Sequence, residues 1–243
     1  LTTPPATSTP AKSAPRLLEI SIVLAAVAGY VDTLGFIALA GLFTAHVTGN
    51  FVLIGKELSD AGGGSGGVLL KLLAFPAFIL GVVIARLLVL RAQAKTRSTA
   101  RPLLVLQALL LLGFMAAGIV ASPITQTDTP LAMVAGLLGA VAMGLQNAQG
   151  RLELSTLTPT TVMTGNVTQI VIDIVDLLLG HDAENAASAR TRLRKMTPAV
   201  AGFAIGAISG AFAFHFIAFW ALLVPVALLF IVSLRFQGNA HGS

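Results

Sequence analysis

Asp32, His46, Thr48 and Asn50 interrupt a stretch that is otherwise apolar and glycine-rich, in the order Gly29-Tyr30-Val31-Asp32 and then His46-Val47-Thr48-Gly49-Asn50. A carboxylate and an imidazole are the side chains that carry protons or hold a cation near neutral pH. Thr and Asn side chains, with backbone amides freed beside a glycine, bind a solute through hydrogen bonds. A weaker copy follows over a hundred residues later, where Gly144-Leu145-Gln146-Asn147 leads to Val162-Met163-Thr164-Gly165-Asn166. In both copies Gly-x-x-(Asp or Asn) precedes Thr-Gly-Asn by almost the same distance, with one residue of slippage. Polar groups are costly in hydrocarbon, so finding them twice in one order marks a site. The candidate substrate-binding set is Asp32, His46, Thr48, Gly49, Asn50, Gln146, Asn147, Thr164, Gly165 and Asn166.

The elements that must position these residues are membrane helices. Of 243 residues, 56% are hydrophobic and 10% charged. A soluble domain carries about 25% charged residues, and so little charge cannot cover a globular surface of this size. Lipid must therefore be the solvent for much of the chain. There is no cysteine, which excludes disulfides and thiol catalysis. Four scattered histidines without ligand spacing indicate no metal centre. No nucleophile–base pair stands out, so an enzyme is the least expected reading, and no cofactor is called for. The net charge of +5 is distributed as a membrane-orienting bias rather than as a nucleic-acid surface.

In chain order, residues 1–16 read as a disordered tail rich in Thr, Pro and Ala. Residues 17–121 form a first membrane repeat, 122–130 a linker, 131–235 a second repeat and 236–243 a C-terminal tail. Within the first repeat, 17–42, 68–90 and 103–121 are long enough to cross a bilayer, which takes about 20 helical residues. The segment 44–58 is too short and polar for that, and a glycine-rich linker at 61–67 follows it. In the second repeat, 131–149 is a span. The segment 156–180 mirrors 44–58, with Pro159 at its expected helix start, and Asp173 and Asp176 on its expected solvated face. Residues 181–195 read as a polar loop. Residues 199–234 are apolar for about two crossings, with a turn expected near Phe214-His215-Phe216.

If the Thr-Gly-Asn segments do not cross, there are six spans. One side then collects Lys12, Arg16, Arg91, Lys95, Arg97, Arg101, Arg151, Arg190, Arg192, Arg194, Lys195 and Arg235, and the other only Lys56 and Lys71. That asymmetry fits the positive-inside bias, whereas eight spans would break it. Three spans per repeat is an odd number, so the fold class expected is an all-α polytopic membrane protein with two inverted repeats. Each repeat has three spans plus a short re-entrant or broken helix. Such repeats build transporters and some channels around a midplane site. Gly202, Gly206 and Gly210 form a small-residue stripe, as do Gly136, Ala140 and Gly144, and both are read as helix packing.

Gly29-Tyr30-Val31-Asp32, Thr48-Gly49-Asn50, Phe78-x-x-Gly81 and Gly144-Leu145-Gln146-Asn147 together resemble the YoaK-like family over roughly 17–234. These are bacterial multipass inner-membrane proteins that carry a domain of unknown function. The resemblance implies a polytopic fold, usually described with six helices, and a bacterial inner-membrane location. It implies no activity.

The residues themselves lead to a transporter of a small polar solute or ion, with protons as the coupling ion through Asp32 and His46, and with both termini cytoplasmic. The bilayer and the solute are the expected partners, a homo-oligomer is compatible, and nucleic acid is not expected. The alternatives are a passive channel of the same fold, or a scaffold or sensor in which Asp32 only braces the partner repeat through Asn147 or Thr164. For Gln146, Asn147 and Gln149 the alternative to solute contact is hydrogen bonding between helices. Asp173 aligns with Glu57, both following the motif asparagine at the same distance, and a gate pairing of Asp173 with Arg151 is one expectation.

Overall fold

The computed structural model describes residues 13–59, 67–94, 98–154, 158–180 and 183–236, and all regular structure among them is helical. The helices are α1 (Ser13–Ala38), α2 (Gly49–Ser59), α3 (Val68–Gln93), α4 (Ala100–Ala121), α5 (Pro130–Leu152), α6 (Met163–Leu179), α7 (Ala183–Ile217) and α8 (Leu223–Arg235). A 3-10 turn, Ala218–Leu222, joins α7 to α8. Among the described residues, five stretches are long and apolar enough to cross a bilayer: Leu17–Ala38, Val68–Gln93, Ala100–Ala121, Pro130–Leu152 and Ala186–Arg235. Of the expected disordered tail at 1–16, residues 1–12 lie outside the described residues, as do most of the glycine linker and the last seven residues, while 13–16 are not a tail but the first turn of α1.

These helices have the residue distribution that lipid selects. Through the middle of α3 the buried positions are the small Ala74, Gly81 and Ala85, with Leu70, Lys71 and Val89 buried toward its ends, while Leu72, Ile79, Leu80, Val83 and Leu87 face outward. Helices in hydrocarbon gain nothing from hiding leucine, and they associate by bringing backbones close at small residues. The closest approaches follow that rule. A Cβ on Gly29 would stand 2.2 Å from the Phe203 carbonyl oxygen, and one on Gly144 would stand 2.1 Å from that of Phe78. One on Gly206 would stand 2.1 Å from the oxygen of Ala26, and one on Gly81 would stand 2.1 Å from that of Val141. Thus α1 packs on α7 as α5 packs on α3, each through matching positions of the two sequence copies. Both glycine stripes serve packing.

Direction follows from the contacts. Gly202, Gly206 and Gly210 meet Ile22, Ala26 and Tyr30 in turn, so α1 and α7 run the same way. The start of α3 lies at the end of α1, because Lys71 Nζ donates to the Ala40 carbonyl at 2.7 Å. The end of α8 returns to the start of α1, where Arg235 pairs with Glu19. The stretch Ala186–Arg235 would be about 75 Å long as one helix, and it folds back instead. The reversal comes at Ile217 and Ala218, where Ala218 has φ of 48°, immediately after the expected Phe214–Phe216, which are the last turn of α7. Nothing in that apolar run names the turning residue.

Two further boundaries differ from expectation. The segment around Arg190–Lys195 is not a loop but the first turns of α7, so a charged run here is a helix that projects past the apolar part. Pro159 does not begin α6. The helix starts at Met163, and Pro159 lies in the preceding loop, where its carbonyl is used as described below.

Candidate functional site

Asp32 lies two turns before the end of α1 and is only 4% exposed. Its carboxylate is fully engaged by the loop that follows the helix. Oδ1 accepts the Thr44 and Ala45 backbone N–H groups, each at 2.7 Å, and the Thr44 hydroxyl at 3.3 Å. Oδ2 lies 2.7 Å from His46 Nδ1. Glycine makes the loop's seat. The Thr44 methyl fills space that a Cβ on Gly35 or Gly139 would occupy, at 2.9 and 3.1 Å. The His46 side chain is 37% exposed and stands edge-on to Phe203 of α7, with ring centroids 5.5 Å apart. The bond to Asp32 holds the imidazole above the ordinary histidine range; burial opposes this, and the carboxylate charge adds to it. Asp32 braces its own repeat, so the expected alternative of a bond to Asn147 or Thr164 is replaced by these local partners.

The motif asparagines act on the loop behind them. Asn50 is buried inside the first turn of α2, and its side-chain amide pairs with both backbone groups of Phe43. It accepts from the Phe43 N–H at 2.9 Å and donates to the Phe43 carbonyl at 2.8 Å. Asn166 does the same to Pro159 at 2.8 Å, but with one bond, because proline has no N–H to offer. The sequence assigns these residues to a solute. In the structure their amides close the preceding turn.

The second copy is built on the same plan with neutral groups. Asn147, at the position of Asp32, donates to Thr161 Oγ1 at 2.7 Å. Gln146 is buried and joins three elements. It accepts from Gln107 of α4 at 2.6 Å and donates to the Leu24 carbonyl at 2.8 Å and to Thr160 Oγ1 at 3.3 Å. Gln149 donates to the Ala100 carbonyl at 2.9 Å. The glutamine bonds to Gln107, Leu24 and Ala100 run between helices, which is the alternative to solute contact, whereas those of Gln146 to Thr160 and of Asn147 to Thr161 run to the loop before α6.

The two loops reach the α1–α5 region from its two ends. Thr44 of the first sits at Gly139 on α5, and Thr160 of the second sits with Gln146 near Leu24 on α1. Phe203 touches His46 and packs on the cluster of Ala25, Met163 and Ala199. Thr48, Thr164 and Gly165 are exposed and join neither polar cluster, and Gly49 is half-buried against Phe43. Clefts of about 510, 660 and 210 Å³ occur elsewhere, and none of these three is lined by a residue of the candidate set.

Two ion pairs complete the surroundings. Asp173 is buried and takes the Arg192 guanidinium at 2.6 to 3.2 Å over three contacts, with Gln169 donating at 2.9 Å. Arg192 holds its carboxyl below the usual carboxylate range against the effect of burial. The expected solvated face is therefore corrected at Asp173, and its partner is Arg192 rather than Arg151. Burial there is possible because α7 begins early and lays Arg192 across α6. In the first copy Glu57 pairs with Lys71 at 2.7 Å, and the Lys71 side chain is 1% exposed.

Residues 20–234 match the family described as "Protein of unknown function (DUF1275)". The chain belongs to this family. It is also similar to the UPF0700 transmembrane protein YoaK of Bacillus subtilis (strain 168), with 31% identity over 213 residues, covering 86% of this chain and 88% of that protein. No solved structure matches the chain. The DUF1275 match runs from α1 to α8 and so includes both polar loops. Several residues that build these loops were absent from the sequence-derived set: Thr44, Thr160, Thr161, Gln107 and Lys71. Three of them carry a usable signal. Thr44 and Thr160 each stand at the same distance before the motif asparagine, and Gln107 is a lone amide within an otherwise apolar span.

Proposed function

We propose that this membrane protein moves a small polar solute or an ion across a bacterial inner membrane, with protons as the coupling ion. In this reading the chain is two inverted halves with both termini cytoplasmic, and it is a carrier rather than an enzyme. Asp32 and His46 carry the proton, and the solute passes between the two Thr-Gly-Asn loops.

One observation carries the reading. Both copies brace a loop from the same helical position, and the second does so with Asn147 alone and carries Val162 at the position of His46. Bracing therefore needs neither a carboxylate nor an imidazole. The first copy nevertheless keeps both, buried and half-buried in an apolar setting where a charge costs a few kcal/mol. The parallel run of α1 and α7, with α3 starting where α1 ends, supports the inverted arrangement. The coupled pair is close enough for direct proton exchange, and the half-exposed imidazole is its link to water.

The test has two steps. Purified protein is screened for thermal stabilisation by a metabolite library, since a ligand of the native state raises its stability. The stabilising solute is then followed into proteoliposomes, with Asp32→Asn and His46→Gln proteins alongside. Loss of pH-driven uptake in folded variants is expected, and uptake equal to that of the parent protein would remove the site. A scaffold or sensor is the second reading, and one observation favours it: the Asp32 carboxylate is already consumed by the loop it holds. That reading predicts no stabilising solute and no flux.

A further inference from the structure

Glu57 and Asp173 follow the two Thr-Gly-Asn segments at the same distance, and each closes an ion pair onto the long helix that comes next, at Lys71 on α3 and Arg192 on α7. The pairs stand at opposite ends of α1. Lys71 also binds the Ala40 carbonyl just past the end of α1, whereas Arg192 precedes Gly202, which lies against Ile22 near its start. In both helices a proline follows the cation by roughly a turn and a half, Pro76 in α3 and Pro198 in α7. An internal proline deletes one helical hydrogen bond and leaves a kink, so each cation sits on a terminal segment that can pivot.

The two ends are not in the same condition. Lys71 is buried, while the Arg192 side chain is 42% exposed. Around Lys71 the closure is incompletely satisfied: Glu57 Oε2 and Thr127 Oγ1 are buried without a hydrogen-bond partner. A cleft of about 510 Å³ lined by Ala40 and Thr127 gives this end room to rearrange. Buried polar atoms left unpaired raise the energy of the closed arrangement and favour an alternative in which they are wetted.

We propose that Glu57–Lys71 and Asp173–Arg192 are two gates, at opposite ends of the path, that open alternately by pivoting at Pro76 and Pro198. This rests on the transport reading and gives it its moving parts.

The chain contains no cysteine, so single reporters can be placed in it directly. Thr48→Cys and Thr164→Cys, both at exposed positions, are alkylated with a maleimide in lipid nanodiscs. The double variant E57Q/K71M is expected to raise the rate at position 48 and lower it at position 164, each by roughly fivefold or more, as coupled sites do. D173N/R192Q is expected to reverse both changes, so misfolding of one variant leaves the other to decide. Pro76→Ala, which restores a backbone donor without touching charge, is expected to damp the response to E57Q/K71M. Changes confined to the end that was altered, or no change, would make the pairs local braces and overturn the proposal. Labelling needs no solute, so reciprocal labelling without flux would remove transport and leave the gates. Flux without reciprocal labelling would do the opposite.

Discussion

Gly206 of α7 lies directly against Ala26 of α1, close enough that a Cβ at 206 would come within 2.1 Å of the Ala26 carbonyl oxygen. The obstruction is backbone in the core of a helix, so neither side can yield without moving a whole helix. Gly206→Ala is therefore expected to destabilise by about 1–3 kcal/mol or more, as overpacking does. Gly81→Ala, against Val141, is expected to match it. Gly55→Ala, where a Cβ meets nothing within 4 Å, is expected to be neutral or to stabilise α2 slightly. Thermal unfolding of the three purified variants checks the order.

The asparagine amides predict an asymmetry between the copies. Asn50 makes two bonds to the Phe43 backbone, and Asn166 makes one to the Pro159 backbone. Asn50→Ala strands a donor and an acceptor and is expected to cost about 2–3 kcal/mol, with Asn166→Ala about half that. Equal losses in denaturant or thermal melts would mean that the amides are not what holds the turns.

His46 sets the direction of a pH effect. Its folded pKa is raised above the unfolded value of about 6.5. The stabilisation is then fully present below that value and is lost as pH rises through the folded pKa. Melting temperature is expected to fall between about pH 6.5 and the alkaline side of the raised value, and His46→Gln is expected to flatten that slope. A slope of opposite sign, or one unchanged in the variant, would remove the Asp32–His46 coupling.

Lys71 is the buried cation whose partner matters most. Lys71→Met leaves Glu57 without its counter-charge, and breaking a buried pair this way typically costs about 3–5 kcal/mol. Removing both charges in E57Q/K71M is expected to recover a substantial part of that loss. If the double variant is no more stable than the single, the pair contributes packing and not charge compensation.

The spans were legible because hydropathy alone fixes them: α3, α4 and α5 begin and end within a few residues of their apolar runs. What failed depended on partners distant in sequence. Asp173 has the spacing of a solvated helical face, and only the early start of α7 brings Arg192 over it. Lys71 reads as an outer charge at the mouth of a span, yet the ends of α1 and α2 enclose it. Asn50 and Asn166 were correctly seen as paired, but their amides point backward to loops whose conformation the sequence does not state. Asp32 was legible as an intramembrane acid, and its engagement by Thr44, Ala45 and His46 needed the fold of the loop.

The central claim is that the Asp32–His46 pair couples proton entry to solute movement. It is tested most directly by proteoliposomes holding a pH-sensitive dye, to which the stabilising solute is added at equal pH on both sides. The parent protein is predicted to carry protons with the solute and change the internal pH, and folded Asp32→Asn protein is predicted to show no such change. Solute entry that leaves the internal pH untouched, or a proton signal that survives Asp32→Asn, would contradict the account.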